Sequence, residues 1–276
     1  KTVEKIAKDE FFNAIELTWV KDKSEKEKVK QILETSGLTV GFAAQPPVLT
    51  IPLNPNSLDE AEREESVKVL KEQIDTAYEF GAVGMAFLSG KDPGEEKRKD
   101  AMAALAQSCQ ELCDYASSKG KLSIEIESFD YDIDKESLIG PSERAVELAE
   151  MVNRSNFGLL LDLSHFPIQH ESTRKALTNA SEYLVHAHMG NCIKKEGVPG
   201  YGDKHPRFGH PDGENGVDEV AEFLEVLFDI GFLGIAEKGK DNLPIVSFEV
   251  KPMEGESSEV VVANAKRTLK EAWAMI

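Results

Sequence analysis

Seven short apolar runs, rich in β-branched residues, alternate with longer stretches of helical periodicity along a chain of 276 residues. That alternation constrains the fold more than any other feature. The predicted strands are Phe12 to Leu17, Leu38 to Ala43, Val83 to Leu88, Leu122 to Glu127, Gly158 to Leu163, Tyr183 to Met189 and Ile245 to Val250. Between them, helical spacing runs over Glu25 to Glu34, Leu58 to Tyr78, Lys97 to Ser118, Glu143 to Asn153, Val217 to Ile230 and Glu259 to Ala274. Alternation of this kind builds βαβ units and a parallel sheet. The chain opens at Lys1 and falls directly into a helical pattern, Thr2 to Lys8, where a strand would be expected first. Supplying that strand upstream of Lys1 makes eight, and eight βα units in this length predict a single-domain (β/α)8 TIM barrel over residues 1–276.

Other α/β architectures lack their signatures. No GxGxxG opens a helix after a strand, and there is no P-loop, so dinucleotide and nucleoside triphosphate sites are not expected. The net charge is −18, from 32 basic and 50 acidic residues. Such a field repels phosphate polymers, and no basic cluster reverses it locally, so nucleic acid is excluded as an expected partner. No apolar run approaches the roughly 20 residues that cross a bilayer, and no secretory pattern is visible. Three cysteines, Cys109, Cys113 and Cys192, cannot make a disulfide framework, and a reduced cytoplasmic setting is the expectation. The longest irregular stretch, Asn191 to Gly216, is rich in Gly, Pro, Asp and His. Loops of that length in compact domains commonly carry function, and this one follows a strand, on the catalytic face of a barrel.

In a barrel, side chains at the C-terminal strand ends converge on one pocket. Four predicted strands end in ionisable groups. Glu125 and Glu127 share one face of the fourth by the strand period of two; Asp162 ends the fifth, with His165 three residues on. His186 and His188 share a face of the sixth, and Glu249 ends the seventh. An isolated charge in an apolar run is costly to bury without a partner. Four strands making the same costly choice point to a common partner, and a divalent cation is the economical one. Carboxylates with one imidazole suit Mn²⁺, Mg²⁺ or Co²⁺, with Zn²⁺ also accommodated.

The order Ile-Glu125, Leu-Leu-Leu-Asp162-Leu-Ser-His165, Val-His-Ala-His188-Met-Gly and Ser-Phe-Glu249-Val resembles the xylose isomerase-like superfamily. Within it, the chain is similar to sugar (phosphate) isomerases and epimerases of the ketose 3-epimerase kind. The opening Phe-Phe-Asn-Ala-Ile-Glu16-Leu is similar to the strand that follows the first helix there. The resemblance implies one divalent metal bound by Glu125, Asp162, His188 and Glu249. It implies that Glu125 and Glu249 also act as the paired catalytic bases, exchanging a proton through a metal-stabilised enediolate, and that His165 contacts a substrate hydroxyl. Glu127, two residues beyond Glu125, is assigned to the substrate.

The chain departs from that pattern in two places. Where the epimerases carry a substrate-contacting Arg, six residues past the metal histidine, this sequence has Lys194. The acidic residue expected to support the first glutamate is replaced by Tyr131, between Asp130 and Asp132. Losing a planar two-pronged donor implies a different substrate, and the polar segment around Tyr201 to Asn215 offers His205 and Arg207 to a charged one. His186 is read as a packing residue one step deeper than His188. The functional expectation is an isomerase or epimerase of a small keto sugar, working as a homodimer or homotetramer as look-alikes commonly do. The alternatives are a hydro-lyase of the inosose dehydratase kind on the same metal site, and an apurinic endonuclease-like hydrolase, which the acidity disfavours.

Overall fold

The computed structural model describes residues 1–51, 53–234 and 243–276. Among them lie seven strands, hydrogen-bonded in chain order in one sheet: β1 (Ala14–Leu17), β2 (Thr39–Ala43), β3 (Gly84–Leu88), β4 (Ser123–Glu127), β5 (Phe157–Asp162), β6 (Leu184–Gly190) and β7 (Ile245–Glu249). The pairings of β1 with β2, β2 with β3, β5 with β6 and β6 with β7 are parallel. Each strand coincides with a predicted one to within two residues at either end. The helices are α1 (Thr2–Ala7), α2 (Lys23–Ser36), α3 (Gln45–Thr50), α4 (Glu60–Glu79), α5 (Glu95–Lys119), α6 (Ser142–Val152), α7 (His165–Ile168), α8 (Thr173–Ala180), α9 (Val217–Asp229) and α10 (Ser258–Trp273).

Three helices went unpredicted, for local reasons. In α3, Pro46 and Pro47 read as a turn, but they occupy the first turn, where a missing N–H costs nothing. The four-residue α7 has no room to show a period. In α8, Ser172 caps the helix by accepting from the Lys175 amide at 3.3 Å, a start signal followed by only eight residues. None of the helices among the described residues is long and apolar enough to cross a membrane.

The chain divides into two compact units, Lys1–Ile126 with Leu148–Gly158, and Glu127–Glu147 with Leu159–Ile276. In the first, α4 buries Arg63, Val67, Leu70, Ile74 and Ala77, a stripe at helical spacing. The stripe on α5 includes Leu105, Cys109, Leu112 and Cys113. Each fully buried leucine contributes about 1.5–3 kcal/mol of transfer free energy. Burial pushes the Cys113 thiol up to about 12, so this i, i+4 pair packs and does not react. In the second unit, α9 packs with α8 and α10 through Val220, Phe223, Leu224 and Leu227. The segment Asn191 to Gly216 contains no helix or extended strand, only an antiparallel bridge between Ile193 and Gly202. Buried asparagines hold it: Asn191 Oδ1 accepts from the Asn215 amide at 2.7 Å, and Asn215 Nδ2 donates to the carbonyls of Leu163 and Gly190.

Candidate metal centre

Strand register places the candidate site. Asp162, the last residue of β5, is the register partner of His188, and Gly190, two residues further along β6, is the partner of Glu249 at the end of β7. Glu127 ends β4. One ligand-type atom from each of Glu127, Asp162, His188 and Glu249 lies within 4.8 Å of all the others. His188 Nδ1 is 2.8 Å from Glu249 Oε2 and 3.8 Å from both Glu127 Oε1 and Asp162 Oδ2. Glu127 and Asp162 are buried, whereas the Glu249 side chain is 41% exposed and open to a ligand.

The acidic residue that β4 brings to this group is Glu127 and not Glu125, which was expected there. Both face the same way, but β4 continues to Glu127, and two residues of strand set them about 6.6 Å apart. Glu125 is instead packed over Gly84, filling the space where any Cβ at that position would stand. His165 is wholly buried, with Nδ1 2.7 Å from the Ser128 carbonyl and Nε2 3.3 Å from Asp203 Oδ1. His205 comes in from the loop: its Nε2 lies 3.2 Å from Ser164 Oγ and Asp203 Oδ1, 3.5 Å from Asp162 Oδ2 and 3.7 Å from Glu249 Oε1. Arg207 is engaged otherwise, donating to Glu256 Oε1 and to the Gly209 carbonyl, and Lys194 is an exposed side chain. His186 is buried one pleat deeper, 3.2 Å from Ser247 Oγ. Phe166 packs on Phe223 in the core, and Trp19 lies under the Lys21 ammonium.

A family model described as xylose isomerase-like TIM barrel matches residues 4–237. The chain belongs to that family. A D-psicose 3-epimerase of Ruminiclostridium cellulolyticum is 35% identical over 65 residues, which is 24% of this chain and 22% of that protein. The chain thus matches about a fifth of that relative's length. A solved structure of a D-tagatose 3-epimerase-like protein superposes with a TM-score of 0.75 at 20% identity, covering 99% of this chain and 92% of the other. That of D-psicose 3-epimerase with D-tagatose, from Clostridium cellulolyticum H10, gives 0.65 at 21%, covering 99% and 89%. At these identities the likeness is one of fold: a TIM barrel, as the strand alternation predicted.

Within this xylose isomerase-like chain, the electrostatics of the strand ends suit a cation. Burial, and then the charge of Glu249, push the Glu127 carboxyl up to about 7. Three carboxylates converging on one imidazole repel one another in a medium where Coulomb terms are strong. A divalent ion removes that penalty. Asp162 Oδ2 is buried and accepts no hydrogen bond among the described residues, although Oδ1 accepts from the Ser164 amide at 2.6 Å. The donor set of oxygens and one ring nitrogen therefore fits a hard or borderline ion.

Around His165 and His205 the same negative field acts on imidazoles. Burial disfavours their charged forms, but Asp203 and Asp162 carry His165 up to about 9, and Glu249 and Asp203 carry His205 up to about 10. Burial likewise opposes the ionisation of Asp162 and Asp203, yet the surrounding imidazoles hold both carboxyls well below the usual range. Asp203 was not singled out from the sequence. Its signal was the alternation Asp203-x-His205 in the one long irregular segment, which puts two ligand-type residues within a single turn of chain.

Gly190 makes the close packing possible. A Cβ there would stand 2.9 Å from His205 Cδ2 and 3.0 Å from both Asp162 Oδ1 and Ser164 Cβ. Only glycine lets β6 end beneath the His205 ring.

Proposed function

We propose that the protein is a divalent-metal-dependent epimerase or isomerase of a small keto sugar or sugar derivative. The observation that carries this reading is the convergence of Glu127, Asp162, His188 and Glu249 within 4.8 Å at the ends of four successive strands. Membership of the xylose isomerase-like family and the likeness in fold to solved 3-epimerases support it. Glu127, Asp162, His188 and Glu249 would hold Mn²⁺, Mg²⁺, Co²⁺ or Zn²⁺. When bound, such an ion polarises the oxygens of a ketone and its neighbouring hydroxyl and acidifies the carbon between them.

The chain's own residues then handle the proton. Glu127 and Glu249 both reach His188 Nδ1, at 3.8 and 2.8 Å, and in this reading one of them takes the proton while the other returns it to the opposite face. Their environments differ, the Glu127 side chain being 1% exposed and that of Glu249 41%. In this arrangement the base expected at Glu125 becomes Glu127, while His205 lies beside Asp162 and Glu249 and His165 beside Asp203. Lys194 and Arg207 are left as contacts of a larger substrate's far end.

The test is hydrogen exchange. The metal-reloaded protein is incubated in D₂O with a panel of ketopentoses and ketohexoses, free and phosphorylated, and the carbon beside the ketone is followed by proton NMR. The wild type should exchange that proton on at least one sugar. Glu127→Gln and Glu249→Gln should each reduce exchange by about 10²–10⁴-fold while leaving the fold intact. Full exchange in both variants would remove the two-base reading.

A further inference from the structure

The turn that follows β4 is wound around one carboxylate. Asp130, wholly buried, accepts from the backbone amides of Ile133 at 2.9 Å, Asp134 at 2.6 Å and Lys135 at 3.0 Å. That turn presents Lys135 to the long segment Asn191 to Gly216, where its Nζ stands 3.2 Å from Asp203 Oδ2 and 2.9 Å from Asp134 Oδ2. We infer that Lys135 is a positioning residue: by holding Asp203 Oδ2 it aims Oδ1 at the His205 ring, and so sets where that ring stands against Asp162 and Glu249. The inference rests on the reading of the strand-end group as an active site, and adds to that group a residue from outside it.

An aspartate carboxylate turns easily, because its last torsion is broad and only roughly two-fold. Asp203 needs a fixed plane, since one of its oxygens serves two rings: Oδ1 lies 3.2 Å from His205 Nε2 and 3.3 Å from His165 Nε2. The ammonium on the other oxygen is the anchor. The Lys135 side chain is 17% exposed and that of Asp203 2%, so salt screens this pair far less than a surface one. A lysine head carries three donors on one charge, which lets it meet Asp134 and Asp203 together.

The two rings depend on this carboxylate unequally. His165 is also fixed from the β4 side: its Nδ1 lies 2.7 Å from the Ser128 carbonyl, and its ring packs on Phe129 at a centroid distance of 4.5 Å. His205 arrives on an irregular segment, with a positive φ of 50° that the surrounding loop must enforce. Besides Asp203, its Nε2 stands 3.2 Å from Ser164 Oγ, 3.5 Å from Asp162 Oδ2 and 3.7 Å from Glu249 Oε1. Releasing Asp203 therefore displaces His205 more than His165. A neighbouring ion pair, Lys204 Nζ to Asp134 Oδ2 at 2.6 Å, ties the same two segments but ends on Asp134. Its lysine is exposed, and cutting it separates the stapling of the two segments from the placing of the ring.

The test reads the rings directly, in protein labelled with nitrogen-15 histidine and held with excess Mg²⁺ at one pH. The His205 ring signals, assigned by their loss in His205→Gln, should be displaced in Lys135→Met. Lys135→Arg, which keeps the charge, should bring them back towards the wild-type position, and Lys204→Met should leave them unmoved. On a sugar whose proton the wild type exchanges, Lys135→Met should lose about 10–100-fold in turnover with little change in KM. Unmoved ring signals in Lys135→Met, with no more than a lower melting temperature, would reduce the residue to a staple and overturn the inference. Equal displacement in Lys204→Met would overturn it as well. Should Lys135→Met not fold, the wild type decides. Its Lys135 ammonium, assigned by its loss in Lys135→Arg, should exchange with water more slowly than the exposed lysines, and exchange as fast as theirs would overturn the inference. If the wild type exchanges no sugar proton, the epimerase reading fails, while the ring signals still decide the place of Lys135.

Discussion

The first three strands and the last four end in opposite kinds of chemistry. β1, β2 and β3 finish at Leu17, Ala43 and Leu88, with Leu17 and Leu88 nearly sealed from solvent. β4, β5 and β7 finish at Glu127, Asp162 and Glu249, and β6 carries His188 two residues before its last. Apolar strand ends stabilise a fold by burial alone. Ionisable ends do the reverse, since each loses hydration that only a partner can restore. The difference assigns stability to one part of the chain and chemistry to the other, and it makes each assignment separately breakable.

The largest effects belong to Glu127→Gln and Glu249→Gln, described above. Next comes Gly190→Ala, which alters no ligand and no charge. Its methyl group would collide with the His205 ring, Asp162 Oδ1 and Ser164 Cβ, all at 3.0 Å or less, so these groups would have to shift. Displacing the groups that orient metal ligands typically costs about 10–100-fold in affinity or activity. The expected outcome is a loss of that size in Mn²⁺ affinity, read by titration, with an unchanged far-ultraviolet circular dichroism spectrum. Unchanged affinity would show that the His205 ring does not need its place above β6.

A smaller effect, on the other side of the comparison, comes from Arg63→Ala. The Arg63 guanidinium, 1% exposed, donates to Ser108 Oγ at 3.1 Å and to Glu60 and Glu111 on the helices α4 and α5. Truncation leaves a cavity and the buried Ser108 with one partner fewer, a loss of about 1–3 kcal/mol. At about 2–4 °C per kcal/mol for a chain of this order of size, the melting temperature should fall by several degrees. Metal content should not change. A variant that loses metal along with stability would break the division between the two sets of strands.

The strands were legible because their signal is local: short β-branched runs between helical stretches, each long enough to show its period. The ends of β5, β6 and β7 could be read with them, because Asp162, His188 and Glu249 are charges at the edge of apolar runs. Two features were not legible. The choice between Glu125 and Glu127 turns on where β4 stops, and a period of two gives the face of a residue but not its height. Asp203 and His205 sit in a segment without periodicity, held by its own Asn191 and Asn215 and, from far along the chain, by Lys135. Only tertiary contacts bring such a segment to the strand ends, so the sequence offered His205 and Arg207 together without showing that His205 turns in towards Asp203 while Arg207 pairs with Glu256.

The smallest expected effect is also the sharpest discriminator. Glu125 and Glu127 lie on one face of one strand, both buried, and the family resemblance placed the metal ligand and base at the first of them. If height along the strand decides the role, Glu125→Gln, which keeps shape and removes charge, should retain its metal and lose less than about tenfold in hydrogen exchange. The same change at Glu127 should lose about 10²–10⁴-fold. Comparing the two variants cancels what they share, namely a buried amide in place of a buried carboxyl on the same face of β4. Equal losses would mean that both carboxylates serve the site. A greater loss at Glu125 would return the base to the position that the resemblance implied, and would require β4 to present its penultimate face residue, over Gly84, to the ion.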